Sequence, residues 1–424
     1  MSGDDRGVVT VFPVLSIVGL LLTANACFPR RAGSLLAVPS FFAAWPTSEL
    51  APQFLVVQVV GAGVLIGAGA LDSTAGVVAL ALAITSWAGL VALACESARS
   101  GRVVEAALAA GLGPGYASTL GPLDATTARR ALSTVRLALA VPFPDRRLDR
   151  VRDIRYAEGG GRRHLLDVYR PAEPVVGAPV LLQIHGGAWI VGEKREQGRP
   201  LMYQLAANGW VCVAPNYRLS PGVVFPEHLV DVKRALRWVR EHVAEYGGDP
   251  GFVVVTGGSA GGHLAALAAL TQNDPEFQPG FEDVDTSVAA CVPFYAPYDL
   301  TRRFAGRGPD GFGGLLERFV IRRKLVDAPD VYARASPLER VGPGAPPFMV
   351  VHGAADSLVA VEAARAFAGG LAAVSTNPVV YVELPGAQHA FEVLHSVRSD
   401  AVVRGVHRFL ACTYARERRD FGPW

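Results

Sequence analysis

The chain has 424 residues, of which half are hydrophobic and only 18% are charged, and its mean hydropathy is positive. The formal net charge is +2, and no basic stripe interleaved with aromatic residues is present, which argues against a nucleic-acid-binding function. Five scattered cysteines without a Cys-x-x-Cys pair argue against a zinc ribbon, a thioredoxin-like site and a disulfide framework. The apolar excess indicates membrane segments.

Three stretches near the N-terminus lack charged residues and approach the length of a membrane span: Val8 to Cys27, Ala51 to Leu71 and Thr74 to Cys95. A helix needs about 20 residues to cross a hydrocarbon core of about 30 Å. These stretches predict a transmembrane region over residues 1–97. Between them, Gly33 to Thr47 is apolar but contains two prolines, so it is either a fourth span or an interfacial or re-entrant segment.

The first stretch has a second interpretation as a secretory signal, because Ala24 to Ala26 resembles a cleavage site. Asp4 and Asp5 precede it where a signal peptide prefers basic residues, and two further spans follow, so we expect a retained segment. The arginines that flank the spans place the C-terminal domain in the cytoplasm with either three or four spans. Unpaired cysteines agree with a reducing compartment.

Residues 98–150 are predicted to form juxtamembrane or cap helices. Their composition favours helices at Arg102 to Leu112 and Ala125 to Ala140. Two prolines and a charge cluster in Pro142 to Arg147 mark the boundary with a catalytic domain over 151–424.

From Val151 onward, short apolar runs alternate with helical patterns. The predicted strands are Val151 to Ala157, His164 to Tyr169, Val180 to His185, Val211 to Pro215, Phe252 to Thr256, Ala289 to Tyr295, Phe348 to His352 and Val379 to Glu383. The predicted helices include Val230 to Tyr246, Leu264 to Leu270 and Ser396 to Ala415. Apart from an antiparallel opening pair, this order predicts an α/β fold with a mostly parallel sheet and helices on both faces.

The glycine-rich turn Gly257 to Gly262 lies between a buried strand and a helix, and contains Ser259. Gly-x-Ser-x-Gly in this position is typical of a nucleophile elbow, in which a serine has a strained backbone between two closely packed elements. The motif alone is equally compatible with an ordinary glycine-rich turn, so its significance depends on a base and an acid elsewhere in the chain.

Both partners follow in the order that an α/β-hydrolase requires. Asp356 comes after the strand Phe348 to His352, and His389 comes after the strand Val379 to Glu383. All three residues are therefore expected at the carboxyl edge of the sheet, where ligands bind in open α/β folds. The segment His185-Gly186-Gly187 follows another strand, and the N–H groups of Gly186, Gly187 and Ala260 are predicted oxyanion donors.

These motifs together resemble the hormone-sensitive-lipase-like esterases and lipases of the α/β-hydrolase class. Further matching segments are Asn216 to Leu219, Phe225-Pro226 and Gly248 to Pro250, and the likeness covers residues 150 to 415. With its N-terminal spans, the layout is similar to membrane-anchored actinobacterial members. One departure is Gly258, since many relatives have an acidic residue before the nucleophile.

The resemblance implies a serine carboxylic-ester hydrolase that forms an acyl-enzyme and uses no cofactor and no metal. The expected partners are a hydrophobic or lipid ester and the lipid bilayer. Trp189, Tyr217 and Phe391 are the predicted pocket walls, although aromatic residues in such positions also occur in cores.

Three alternatives stay open on the sequence alone. The same triad serves amide or formamide hydrolysis, and it serves acyl transfer to an alcohol. A catalytically dead hydrolase fold acting as a membrane scaffold is the alternative from a different class. The segment 298–341, rich in glycine and arginine, is predicted to form a lid or the rim of the acyl pocket.

Overall fold

A computed structural model describes residues 3–30, 34–120, 140, 147–304 and 311–420. Within these residues, four α-helices precede the sheet domain: α1 (Gly3–Cys27), α2 (Ala37–Glu49), α3 (Ala51–Gly67) and α4 (Thr74–Leu112). By length and composition, α1 and α4 can cross a membrane. The α2–α3 pair qualifies as one more span only if the two helices, bent by 84°, form a single broken span.

These helices coincide with the apolar stretches of the sequence, and two details differ from the prediction. The ambiguous segment around Pro39 is helical and forms most of α2, which bends sharply into α3. Helix α4 passes without interruption through residue 97, where the membrane region was predicted to end. Charged residues such as Glu96 and Arg99 end the apolar run but not the helix, because glutamate and arginine are good helix formers.

The sheet has eight strands, in the spatial order β1-β2-β4-β3-β5-β6-β7-β8. The strands are β1 (Leu148–Arg155), β2 (Leu165–Pro171), β3 (Ala178–Ile184), β4 (Val211–Pro215), β5 (Gly248–Gly258), β6 (Ala290–Phe294), β7 (Phe348–Gly353) and β8 (Val379–Leu384). Strand β2 pairs antiparallel with β1 and with β4, and every other pairing is parallel. The predicted antiparallel opening and parallel remainder are confirmed.

Seven further helices belong to this domain: α5 (Arg199–Ala206), α6 (Glu227–His242), α7 (Ala260–Leu270), α8 (Gly311–Leu315), α9 (Pro329–Arg334), α10 (Val361–Val374) and α11 (Val397–Asp420). Alternate residues of a strand point to opposite faces, so Val180 and Leu182 join the core under α6, α7 and α10. Leu181 joins the second core under α4, α5 and α11. This is the predicted α/β-hydrolase architecture.

The C-terminal part of α4 belongs to the second core, where Val104 and Leu108 are fully buried. The predicted cap helix Ala125 to Ala140 and the predicted boundary Pro142 to Arg147 lie almost entirely outside the described residues. In the 298–341 insertion, the side chains of Leu316 and Tyr332 are buried against the first core. Its role as a lid stays a prediction.

Candidate active site

Ser259 lies at the junction between β5 and α7, with φ of 56°, a left-handed conformation that is strained for a residue with a side chain. The turn is tight because the flanking elements pass close to the end of β3. A Cβ atom on Gly257 would lie 2.5 Å from the carbonyl oxygen of Ile184, and one on Gly261 would meet the same oxygen. Only glycine fits at these two positions. Ser259 thus precedes the N-terminus of α7, whose dipole favours negative charge.

Gly258, the departure from the resembled family, has a steric explanation. A Cβ atom at this position would overlap the hydroxyl group of Tyr295 at the end of β6. That hydroxyl donates a hydrogen bond to the carboxyl group of Glu392, three residues after His389. Burial raises the pKa of Glu392 to about 7. A buried carboxyl group therefore lies close to the nucleophile turn, contributed by a different loop.

The loops after β7 and β8 bring the predicted acid and base together. His389 Nδ1 and Asp356 Oδ2 form a hydrogen bond of 2.7 Å. The other carboxylate oxygen, Asp356 Oδ1, accepts hydrogen bonds from the backbone N–H groups of Leu358 and Val359, each 2.8 Å. The side chain of Gln388 joins the two loops through the backbone and hydroxyl of Ser357. The carboxylate is thus held firmly toward the imidazole.

A second histidine approaches the same carboxylate. His352, at the end of β7, has Nε2 at 3.4 Å from Asp356 Oδ2, while the same nitrogen lies 3.1 Å from the carbonyl of Val359. Burial opposes ionisation of Asp356. The charge of His389 and hydrogen bonds from both histidines outweigh burial and hold the pKa of the carboxyl well below its usual range. The expected structural role of His352 thus includes a contact with the acid.

The third element of a triad, a hydrogen bond between Ser259 and His389, is not formed among the described residues. The Ser259 side chain is partly exposed and the His389 side chain is almost buried. Catalytic hydrogen bonds are often long before substrate binds and tighten in the complex. The geometry therefore brings the acid and base into contact, and the nucleophile turn is connected to them through Tyr295 without that bond.

The glycine loop after β3 modifies the predicted set of oxyanion donors. The N–H group of Gly186 donates to Oε1 of Gln197 at 2.7 Å, so it is already engaged within the protein. The backbone N–H groups of Gly187, Ala188 and Ala260 donate no hydrogen bond among the described residues. Gly186 is thus disfavoured as a donor, and Ala188, which the sequence analysis did not select, has an available N–H group.

The three predicted pocket aromatics are all buried. Trp189 packs edge-on against His263, and Phe391 packs against Phe294 and Tyr295. Tyr217 stacks on His185, at 4.3 Å between ring centroids, and its hydroxyl donates to the carbonyl of that residue. All three rings are thus buried, because burying their large apolar surfaces is favourable, and their role as pocket walls stays a prediction. Tyr217 supports the start of the glycine loop.

The residues that contact His389 from outside its own loop were not identified from the sequence. Tyr295 lies 4.4 Å from the imidazole, between ring centroids. Phe41 of helix α2 approaches the imidazole edge-on at 6.0 Å. Neither follows a catalytic motif, and the only available signal was the position of Tyr295 at the end of a strand. Within the described residues, no group of three or more His, Cys, Asp or Glu side chains is arranged to hold a metal ion.

The sequence is similar to a known protein family and to two esterases of Mycobacterium tuberculosis. The family described as BD-FAE matches residues 166–371. The probable carboxylic ester hydrolase LipM of Mycobacterium tuberculosis is 48% identical over 339 residues, which cover 77% of this chain and 76% of LipM. Esterase LipQ of the same organism is 44% identical over 322 residues, covering 75% of this chain and 76% of LipQ.

Solved structures agree on the architecture. Esterase B of Lactobacillus rhamnosis superimposes with a TM-score of 0.56 at 23% identity, over 75% of this chain and 99% of that chain, which shows the shared fold. Esterase 2 of Thermogutta terrifontis phosphonylated by sarin gives a TM-score of 0.52 at 27% identity, over 64% of this chain and 96% of that chain.

Proposed function

The chain belongs to the family of carboxylic ester hydrolases that includes LipM and LipQ, and from this premise we propose that it cleaves its ester through an acyl-enzyme formed on Ser259. The observation that carries the proposal is the 2.7 Å hydrogen bond between His389 and Asp356. Tyr295 links this pair to the strained Ser259 turn, because its hydroxyl abuts Gly258 and its ring lies 4.4 Å from the imidazole. An imidazole oriented by a buried carboxylate near a partly exposed serine hydroxyl is the arrangement that serine hydrolases use.

In the proposed reaction, His389 Nε2 takes the proton of Ser259 as the hydroxyl oxygen attacks the ester carbonyl. The tetrahedral intermediate collapses, the bond to the alcohol oxygen breaks, and the imidazolium gives its proton to that oxygen. A water molecule, deprotonated by the same imidazole, then attacks the acyl-enzyme. The bond to the Ser259 oxygen breaks, the imidazolium returns its proton to that oxygen, and the acid is released. Asp356 holds the imidazole in the tautomer that has Nε2 free to accept a proton, and it stabilises the imidazolium.

The oxyanion is proposed to be stabilised by the N–H groups of Gly187 and Ala260, with Ala188 as an additional donor. These groups have no partner among the described residues, and Ala260 begins helix α7, so the helix dipole favours the same negative charge. We leave Gly186 out of this set because its N–H group is bonded to Gln197.

The membrane location is a separate part of the proposal. Large apolar side chains are exposed along α1, α3 and α4, among them Leu21, Val57 and Val77. Side chains of this size and number are normally buried in a soluble domain, whereas a lipid environment covers them. We therefore propose that these helices anchor the enzyme in a membrane, that the catalytic domain faces the cytoplasm, and that the substrate is a hydrophobic or lipid ester.

The substitution Ser259→Ala tests the catalytic proposal. We expect the turnover of an aryl ester such as p-nitrophenyl butyrate to fall by at least about 10³-fold, because the residual rate comes from binding and the oxyanion donors alone. Labelling by a fluorophosphonate probe is expected to disappear together with turnover. Ser118→Ala, a change of an exposed serine remote from the turn, is the matched control. Undiminished turnover or labelling of Ser259→Ala would overturn the assignment.

A further inference from the structure

Helix α2 is attached directly to the segment that contains His389, although about 350 residues separate the two in sequence. The indole Nε1 of Trp45 donates a 2.9 Å hydrogen bond to the carbonyl oxygen of Ala390. At the C-terminal end of α2, Glu49 forms a fully buried ion pair with Arg398 and accepts a 2.8 Å hydrogen bond from the hydroxyl of Ser396. These contacts, with Ala390 on one side and with Ser396 and Arg398 on the other, fix the position of α2 relative to His389.

The side chain of α2 that meets the imidazole is Phe41. Its ring lies 6.0 Å from the His389 ring at an interplanar angle of 81°, and it stacks on Trp45 at 5.7 Å. Only 6% of Phe41 is exposed. Asp356 occupies Nδ1 of the imidazole and Tyr295 packs on the ring at 4.4 Å. Phe41 is thus an apolar group that the N-terminal helices contribute to the surroundings of the base.

The chemistry of ester cleavage determines which part of the substrate lies near the base. His389 must give its proton to the departing alcohol oxygen, so that oxygen has to come within hydrogen-bond reach of the imidazole. The acyl carbon, in contrast, is bonded to Ser259. A side chain that packs against the imidazole is therefore closer to the alcohol portion of the ester than to the far end of its acyl chain.

The exterior beyond Phe41 is also apolar. Val38, one helical turn before Phe41, and Phe42, whose ring contacts that of Phe41, are 54% and 64% exposed, and Leu35 and Leu36 just before the helix are exposed as well. A hydrocarbon chain that passes the imidazole along α2 meets these apolar side chains and no charged group of that helix apart from the buried Glu49.

We propose that Phe41 is a specificity-determining residue that binds the alcohol portion of the substrate, and that the enzyme prefers esters of long-chain or lipid-like alcohols. This inference rests on the proposed serine-hydrolase function. It makes α2 part of the catalytic unit, in addition to any role in membrane attachment.

Two ester series separate this role from a structural one, using the full-length chain in detergent. One series keeps the acetyl group and lengthens the alcohol from methyl to octyl acetate, and the other keeps p-nitrophenol and lengthens the acyl chain from acetate to octanoate. Phe41→Ala is expected to lower kcat/KM for octyl acetate about tenfold relative to methyl acetate, the equivalent of losing contact with about two methylene groups. The dependence on acyl length is expected to remain as in the wild type.

The variant Phe41→Leu retains an apolar side chain and is expected to restore most of the preference for octyl acetate. Val57→Ala, which shortens an exposed apolar side chain on α3, is the control and is expected to leave both series unchanged. An equal loss on every ester, or an altered acyl-length profile with an unaltered alcohol profile, would overturn the inference.

The Ser259→Ala variant in the same assays distinguishes the two levels of failure. If it remains active, the proposed function itself fails. If it is inactive while Phe41→Ala keeps the wild-type alcohol profile, the serine mechanism stands and only the role of Phe41 is rejected.

Discussion

The N-terminal helices and the sheet domain are both rich in apolar residues. The sheet domain buries most of these side chains, whereas the N-terminal helices expose many of them. In the sheet domain, valine, leucine and phenylalanine side chains fill two cores on either face of the sheet. In α1, α3 and α4, many large apolar side chains point outward, while Ser16, Thr23 and Ser86 are buried between helices. The difference supports the proposed membrane location of these helices.

Polar side chains form part of the contacts between the N-terminal helices. The hydroxyl groups of Thr23 and Ser86 are 2.9 Å apart, and Ser86 also bonds to Oε1 of Gln58, so one polar group of three side chains links α1, α3 and α4. In lipid, small and polar residues form helix contacts because apolar side chains gain nothing by leaving an apolar solvent. The sheet domain instead relies on apolar burial, worth about 25 cal/mol for each Å² removed from water.

The largest expected effect concerns the location of the chain. It tests whether the exposed apolar side chains of the N-terminal helices lie in a bilayer. We expect the full-length protein to remain wholly with the membrane fraction after high-salt and alkaline carbonate washes, because the proposal places the outward apolar faces of α1 and α4 in lipid. A C-terminal reporter that is active only outside the cytoplasm is expected to stay silent. Release of the protein by either wash would contradict the anchor, and an active reporter would reverse the orientation.

The next prediction addresses the point where the two regions meet. Glu49→Gln is expected to lower the free energy of unfolding by about 3–5 kcal/mol, because it leaves the fully buried Arg398 guanidinium without a countercharge. Thermal unfolding in detergent, followed by circular dichroism, measures the loss. The double variant Glu49→Leu, Arg398→Met is the control, since removing both charges together is often neutral or stabilising. If the single and double variants lose equal stability, the pair does not couple α2 to α11.

The smallest effect concerns Glu392 in the sheet domain, a buried carboxyl group that forms no ion pair with another described residue. Burial raises the pKa of Glu392 from 4.5 to about 7. At a pH between these two values, Glu392 is therefore protonated in the folded state and ionised in the unfolded state. The contribution of this group to stability is therefore complete below about pH 4.5 and decreases as the pH rises to 7. We expect Glu392→Gln to gain roughly 2–3 kcal/mol over the wild type between pH 5 and pH 8.

This gain is measured as the difference between the two proteins in denaturant unfolding at each pH, so that contributions of other groups cancel. Glu158→Gln, a change of an exposed carboxylate, is the control. A wild-type-like pH dependence in Glu392→Gln would mean that Glu392 does not titrate in this range. A pH-dependent gain in both variants would assign the effect to general charge reduction.

Much of the sheet domain and its site could be predicted from the sequence. The strands are short apolar runs, and the antiparallel opening and parallel remainder follow from their order and spacing. Ser259, Asp356 and His389 each follow a strand in the chain, and parallel strands bring such positions to one edge. The contact between Asp356 and His389 therefore follows from topology, before any side-chain geometry is known.

Other features of the site depend on contacts between distant segments. The hydrogen bond from Gly186 to Gln197 occupies an N–H group that was predicted to bind the oxyanion, and no local pattern indicates where the amide of Gln197 points. The aromatic rings predicted as pocket walls, such as Trp189, are buried, because the same residue type suits both a core and a pocket. The approach of Tyr295 to His389 depends on how two loops fold over each other.

The sequence by itself determined the division into apolar helices and an alternating sheet domain, and the chain order of nucleophile, acid and base. These properties depend on patterns over a few residues and on general rules of topology. Only the tertiary structure decided that α4 continues into the second core and that α2 brings Phe41 against His389. Such contacts depend on which helix faces are complementary in shape and polarity once the chain is folded, and neighbouring residues in the sequence do not encode that match.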